Sequence, residues 1–226
     1  MERLIALIEL LKNVQLFESL NDEQLHHIYS IANKQSFSPG TVLFQENDHG
    51  SAFYILLKGS VKIYTRSTSG EEKVLSLIQA GESFGELSLL DGRPRSASAQ
   101  TLESTTLLVI AGKAFNDLLR DQFEITRQIM AELCRRLRDT NQHVYDLTFV
   151  DSRTRVLKNV ILLANRHGSR SGNIITIKVA LNFNELAQMA GVTKQALSQV
   201  LRDLEDRSIL KFGLNEYKLD LARLNG

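Results

Sequence analysis

The segment Phe84-Gly85-Glu86-Leu87-Ser88-Leu89-Leu90, followed by Asp91-Gly92-Arg93-Pro94-Arg95-Ser96-Ala97, gathers the residue types that an anion-binding turn requires. Gly85 lets the main chain approach a ligand closely. The residues after it can start a short helix whose first amides point outward and attract negative charge. Arg95 supplies a planar guanidinium able to donate two parallel hydrogen bonds to phosphate oxygens. Ser96 adds a hydroxyl, and the amides of Ser96 and Ala97 add further donors. Glu86 is a carboxylate beside an anion site, and reads as an acceptor for a ribose hydroxyl with Arg95 offsetting its charge. A surface turn holding an ordinary Arg–Glu pair is the plainer alternative, and the length of the string argues against it.

A second constellation lies at 182–210. Asn182 can cap a helix, and Glu185 three residues later can reach back to it as a capping box. Leu186, Ala187 and Ala190 form a small apolar face, Gly191 stops the helix, Val192 points inward, and Thr193 can cap the next one. The second helix is expected to bury Ala196, Leu197, Val200, Leu201 and Leu204. That leaves Lys194, Gln195, Ser198, Gln199 and Arg202 exposed at or near its start. Two short helices joined by a glycine-containing turn make a helix-turn-helix, whose second helix suits the major groove of DNA. Gln can bond adenine through two groups, Lys favours guanine acceptors, and Ser is tolerant. Thr193 and Arg202 fit phosphates, which set position rather than sequence. A helical hairpin with a solvated face is the plainer alternative here.

The elements that must carry these residues can be read from period and charge. Residues 37–110 contain short runs rich in β-branched and aromatic residues, at 41–44, 52–57, 60–64 and 73–78. Turn formers separate them, such as Pro39-Gly40, Asp48-His49-Gly50 and Lys58-Gly59. This spacing predicts an antiparallel sandwich or roll. From 113 to 147 the pattern is helical and continuous. Ile125, Ile129, Leu133, Leu137, Thr140, Val144 and Leu147 trace one apolar stripe. A helix of roughly 30 residues spans about 45 Å, more than a small roll covers. An identical helix across a twofold axis is the simplest partner for the surplus. Beyond a junction at 147–152, a helix at 153–165, a polar loop at 167–173 and a strand at 174–179 lead into the helix pair.

The fold class expected is therefore α+β: an N-terminal antiparallel β-roll (1–112), a dimerisation helix (113–147), a hinge (148–152) and a C-terminal winged helix-turn-helix (153–226). The chain is nearly neutral at +1, but the charge divides. From Ser152 onward there are 12 Lys and Arg against 6 Asp and Glu, giving +6; the remainder holds 15 against 20, giving −5. Only the back of the molecule is thus expected to meet a polyanion. One cysteine, Cys134, excludes an intramolecular disulfide and fits a reducing compartment, hence the cytoplasm. It also cannot supply an iron–sulfur cluster. No apolar run approaches the roughly 18 residues that cross a bilayer, and the opening MERLIALIELLKN reads as an amphipathic helix rather than a signal peptide.

The string F-G-E-L-S-L-L…R-P-R-S-A resembles the phosphate-binding cassette of cyclic-nucleotide-binding domains, and Pro39-Gly40, Gly59 and Gly81 occur in the same order. The resemblance continues through the helix to N-E-L-A-Q-M-A-G-V-T-K-Q-A-L-S-Q-V-L-R-D-L-E, so it covers nearly the whole chain. The family is that of the bacterial catabolite activator and the fumarate–nitrate reductase regulator. The resemblance implies that Glu86 accepts the ribose 2′-hydroxyl, that Arg95 pairs with the cyclic phosphate, and that Gly85, Leu87, Ser96 and Ala97 line the site. It makes Thr140 and Asn141 the candidates for reading the base, and Arg136 a basic residue near the pocket. Cyclic AMP-responsive members commonly carry Thr then Ser there, so Asn141 is a departure that leaves cyclic GMP open as effector. Lys194, Gln195 and Gln199 replace the Arg, Glu and Arg of the catabolite activator, so a different operator is expected, with half-sites about 34 Å apart. Double-stranded DNA, a second copy of the chain and RNA polymerase are the implied partners.

Other readings have less to stand on. An enzyme would need a nucleophile–base pair or metal ligands, and His26, His27, His49, His143 and His167 are scattered. A regulator with another effector, or with none, would not need both Glu86 and Arg95. A haem sensor finds no decisive ligand pair in Cys134 and His143.

Overall fold

The computed structural model describes residues 8–9, 11–12, 14–18, 20–178, 182–212 and 216–224. Most of the opening helix expected at 1–13, and Val179 at the end of the expected strand, lie outside the described residues. The chain divides into two compact units, Met1–Asp139 and Thr140–Gly226.

The first unit is a two-sheet roll with helices at its ends. Its strands are β1 (Ala32–Phe37), β2 (Val42–Phe44), β3 (Ala52–Lys58), β4 (Ser60–Arg66), β5 (Glu72–Gln79), β6 (Ser83–Phe84), β7 (Ser98–Thr101) and β8 (Thr105–Ala111). One antiparallel sheet has the order β1-β8-β3-β6 and the other β2-β7-β4-β5. Alternate residues of β3 serve two cores. Ala52, Tyr54 and Leu56 point between the sheets, where they meet Val61, Ile78, Phe84, Ala99 and Leu107. Phe53 and Ile55 point to the opposite face, beneath the helices, with Leu108, Ile110, Phe115, Ile125 and Ile129. Burial on both faces explains why this strand reads as an unbroken apolar run.

Helix α1 (Asp22–Ile31) is closed at its start by a capping box between Asn21 and Gln24. Helix α2 (Leu87–Leu90) is a single turn following β6. The expected continuous helix is two: α3 (Gly112–Asp121) and α4 (Phe123–Phe149). The break is at Gln122, with φ −123° and ψ 87°. No Gly or Pro causes it; the Gln122 side chain instead accepts a 2.6 Å hydrogen bond from Gln24 Nε2, a tertiary contact that local sequence does not reveal. At 27 residues α4 is about 40 Å long.

The apolar stripe of α4 also divides. Ile125 and Ile129 are buried in the roll's own core, while Phe123, Met130, Leu137 and Val144 are 69%, 50%, 62% and 57% exposed. These four recur every seven residues. Thr126, Leu133, Thr140 and Leu147 follow each of them by three, which is the a/d pattern of a coiled-coil seam.

The second unit holds the end of α4, then α5 (Ser152–His167), β9 (Gly168–Ser171), β10 (Ile174–Ile177), α6 (Phe183–Ala190), α7 (Lys194–Asp206), β11 (Leu210–Phe212), β12 (Tyr217–Asp220) and α8 (Leu221–Leu224). Its antiparallel sheet has the order β11-β12-β10-β9. The stretch expected as a polar loop at 167–173 is strand β9 and a turn. Gly168–Ser171 pairs with β10 as the edge strand of the sheet, although its side chains are polar. Asp151 caps α5 by accepting from Thr154 N, so the junction between the long helix and this unit is two residues, Val150 and Asp151.

Candidate functional site

The first site is built where β6 ends. Gly85 sits at φ +84°, and a Cβ there would meet Arg95 Nη1 at 2.9 Å and Tyr54 Cδ2 at 3.1 Å, so no other residue fits without displacement. The chain then enters α2, where the amides of Leu87 and Ser88 precede any helical acceptor. Arg95 is drawn back over this turn by main-chain bonds, its own amide donating to Asp48 O and its carbonyl accepting from Asn47 N.

The residue is 4% exposed. Nη1 donates to Gly85 O at 2.5 Å and Nη2 to Ala52 O at 2.7 Å. The guanidinium carbon lies 4.2 Å from the ring centroid of Phe44 and 5.9 Å from that of Tyr54. Burial pulls the Arg95 pKa below the ordinary arginine value, opposed by its attraction to Tyr54, Glu86 and Asp48. Burial also raises the Tyr54 phenol.

Glu86 is buried as well. Its partner is Arg136 rather than Arg95, because Arg136 Nη1 donates to Glu86 Oε1 at 3.1 Å while Arg95 is held by carbonyls. Arg136 also donates to Ser83 O at 2.6 Å and to Glu132 Oε1 at 2.8 Å.

These groups line one cavity of about 80 Å³, formed by Phe44, Ile63, Phe84, Gly85, Glu86, Leu87, Ser88, Arg95, Ser96, Ala97 and Arg136. All seven residues expected there from sequence and assigned to the first unit are present. Three buried polar atoms of this cavity have no hydrogen-bond partner among the described residues: Glu86 Oε2, Ser88 Oγ and Arg95 Nε. Two of them can donate and one can accept. Unsatisfied buried polar groups are rare and costly, and their concentration in one place marks a site made for a polar ligand. The donors suit an anion and the carboxylate suits a hydroxyl.

Sequence reasoning missed several contributors. Phe44 and Tyr54 form the aromatic wall around the guanidinium but read only as strand residues. Ser88 reads as one polar residue in a leucine-rich turn. Gly50 reads as a turn former, yet a Cβ there would collide with Ser88 Oγ and lie 3.6 Å from Arg95 Cζ. Thr140 and Asn141 are exposed on α4, one turn beyond Arg136, in the second unit.

The DNA-reading candidate lies in the second unit. Asn182 and Glu185 form the expected capping box, Gly191 ends α6 at φ 62°, and Thr193 caps α7 by accepting from Ala196 N. Leu197, Leu201 and Leu204 are buried, with Ala196 and Val200 half-buried. Thr193, Lys194, Gln195, Gln199 and Arg202 are exposed, and Ser198 is half-buried. Arg155, which sequence reasoning did not single out, fixes the turn. Its Nε donates to Ala190 O at 3.1 Å, Nη2 to Gly191 O at 3.0 Å, and Nη1 to Val150 O at 2.7 Å.

Residues 34–122 match the cyclic nucleotide-binding domain family. The chain is 32% identical over 203 residues to the cyclic AMP receptor protein of Thermus thermophilus, covering 90% of this chain and 91% of that protein. It is 30% identical, at the same coverage, to a CRP-like cAMP-activated global transcriptional regulator of Mycobacterium tuberculosis. The chain belongs to the CRP-like family of transcriptional regulators. The fold agrees: FixK2 of Bradyrhizobium japonicum superposes with a TM-score of 0.77 at 18% identity, covering 86% of this chain and 96% of that one. As a CRP-like regulator the chain is α+β, with its cyclic nucleotide-binding domain in the roll. Relatives named as regulators also bear out the reading of a regulator rather than an enzyme. Among the described residues no helix is long and apolar enough to cross a membrane.

Proposed function

We propose that this chain is a cyclic AMP-responsive, homodimeric transcriptional regulator that works in the cytoplasm and contacts RNA polymerase at its promoters. Residues 1–112 take up the nucleotide, 113–147 pair the subunits, 148–152 act as the hinge, and 153–226 bind DNA. The observation that carries the reading is the convergence of Glu86 Oε2, Ser88 Oγ and Arg95 Nε, all unpartnered, on one cavity.

In this reading Arg95 Nε, the amides and hydroxyl of Ser96, and the amide of Ala97 receive the cyclic phosphate. Glu86 Oε2 accepts the ribose 2′-hydroxyl, while Gly85 and Leu87 shape the wall. Arg136 keeps Glu86 oriented. Thr140 and Asn141 read the base from α4. Two relatives are named for cyclic AMP, which favours adenine; Asn141 makes cyclic GMP the natural competitor.

The exposed seam of α4, which repeats every seven residues, supports pairing with a second copy, and the polar Thr140 within it would fix register. The two recognition helices would then address half-sites roughly 34 Å apart. Lys194, Gln195, Ser198 and Gln199 would meet base edges, and Thr193 and Arg202 the phosphates. Calorimetric titration with cyclic AMP, cyclic GMP and their 2′-deoxy forms tests the reading. Cyclic AMP is expected to bind tightest and each deoxy form more weakly than its parent; no uptake at millimolar concentration would refute the sensor role.

A further inference from the structure

Glu132 does not line the nucleotide cavity, yet it holds the residue that does. Its Oε1 accepts from Arg135 Nη2 at 2.6 Å and from Arg136 Nε at 2.8 Å, and its Oε2 accepts from Arg135 Nε at 2.8 Å. Arg135 Nη1 continues to Asp139 Oδ2 at 2.9 Å. With Arg136 on Glu86, the ions form an unbroken chain from Glu86 onto α4: Arg136, Glu132, Arg135, Asp139.

The geometry at Arg136 decides what is left for a ligand. Three acceptors hold the guanidinium: Glu132 at Nε, Glu86 at Nη1 and the Ser83 carbonyl at Nη2. Nη1 thus meets Glu86 on Oε1, and Oε2 stays buried without a partner among the described residues. A guanidinium released from Glu132 would be able to turn and engage both oxygens of Glu86, the arrangement its fork favours. A ribose hydroxyl would then compete with a cation for the same atom. The two arginines outweigh burial and hold the Glu132 carboxyl below the usual glutamate range. Glu132 is also two residues past Met130, off the exposed a/d seam of α4, so pairing along that seam leaves it uncovered.

We propose that Glu132 is a positioning residue for sugar recognition: by anchoring Arg136 it keeps one oxygen of Glu86 available to a hydroxyl donor, and so sets the preference for ribose over deoxyribose. The inference rests on the assignment of Glu86 to the ligand's 2′-hydroxyl.

The test is calorimetry on the full-length protein with cyclic AMP and 2′-deoxy cyclic AMP, alongside thermal unfolding. In Glu132→Gln the preference for the ribose form should fall about ten-fold, the scale of one charge-assisted hydrogen bond. Arg135→Gln removes two of the three hydrogen bonds to Glu132 but leaves it to Arg136 alone, and should keep the preference. Should Glu132→Gln not fold, Glu132→Asp carries the test, and its shorter reach should lose part of the preference. Equal weakening of both ligands, or an unchanged ratio, overturns the inference while leaving the pocket assignment standing. Failure of the unsubstituted protein to bind either nucleotide refutes the pocket assignment, and the inference falls with it.

Discussion

Arg95 lies against the ring of Phe44, its guanidinium carbon 4.2 Å from the centroid, with both terminal nitrogens on the carbonyls of Gly85 and Ala52. The cation is thus removed from water and held by the protein's own groups. An anion entering beside it meets a charge that needs no further desolvation or ordering, which strengthens their attraction.

Replacing Arg95 by Gln should weaken cyclic AMP binding by roughly ten- to a hundred-fold, since a hydrogen bond to a charged group is worth ~1.5–3 kcal/mol. Titration calorimetry measures this directly. Affinity equal to that of the unsubstituted protein would show that the guanidinium is structural only.

Gly50→Ala places a methyl on Ser88 Oγ, next to Arg95. Overpacking of this kind costs about 1–3 kcal/mol. The variant should melt several degrees lower and bind nucleotide more weakly, whereas Gly70→Ala, where a Cβ meets nothing within 4 Å, should leave nucleotide binding intact. Indistinguishable titrations for the two would remove Gly50 from the account.

Leu137 stands in the exposed seam of α4 at 62% exposure. Leu137→Glu puts an unpaired carboxylate into the expected pairing surface, costing roughly 2–3 kcal/mol or more. Sedimentation velocity should report a monomer at concentrations where the parent is a dimer. A dimer of unchanged strength would mean that subunits pair elsewhere.

Gln199→Ala should relax one base position by about 1–3 kcal/mol. Selection from randomised duplexes would read this as lost preference at one position in each half-site. Arg202→Ala should instead lower affinity across all sequences and reduce its salt dependence.

Asn182 closes the capping box of α6, and Asn182→Ala should destabilise the second unit by about 1 kcal/mol. Calorimetric melting should show the loss, and nucleotide affinity should not change.

What the sequence disclosed depended on how local each feature is. The caps at Asn182 and Thr193, the stop at Gly191 and the cassette around Glu86 and Arg95 are determined within a few residues, and the structure has them as read. Strand β1 was hidden because it is an edge strand whose residues Asn33 to Ser36 face solvent, leaving no apolar alternation. The break at Gln122 and the pairing of Glu86 with Arg136 come from residues 98 and 50 positions apart, beyond any window of periodicity. Phe44, Gly50 and Ser88 meet around Arg95 only because the roll folds three turns onto one another.

Arg155 ties the carbonyl of Val150 to those of Ala190 and Gly191. The reader module is therefore not a portable cassette that begins at its first helix. A fragment cut at Ser152 would leave one prong of that guanidinium empty, and its recognition helix would lose a buttress supplied from the neighbouring segment. Grafts and chimaeras made from this regulator should carry their splice upstream of Val150.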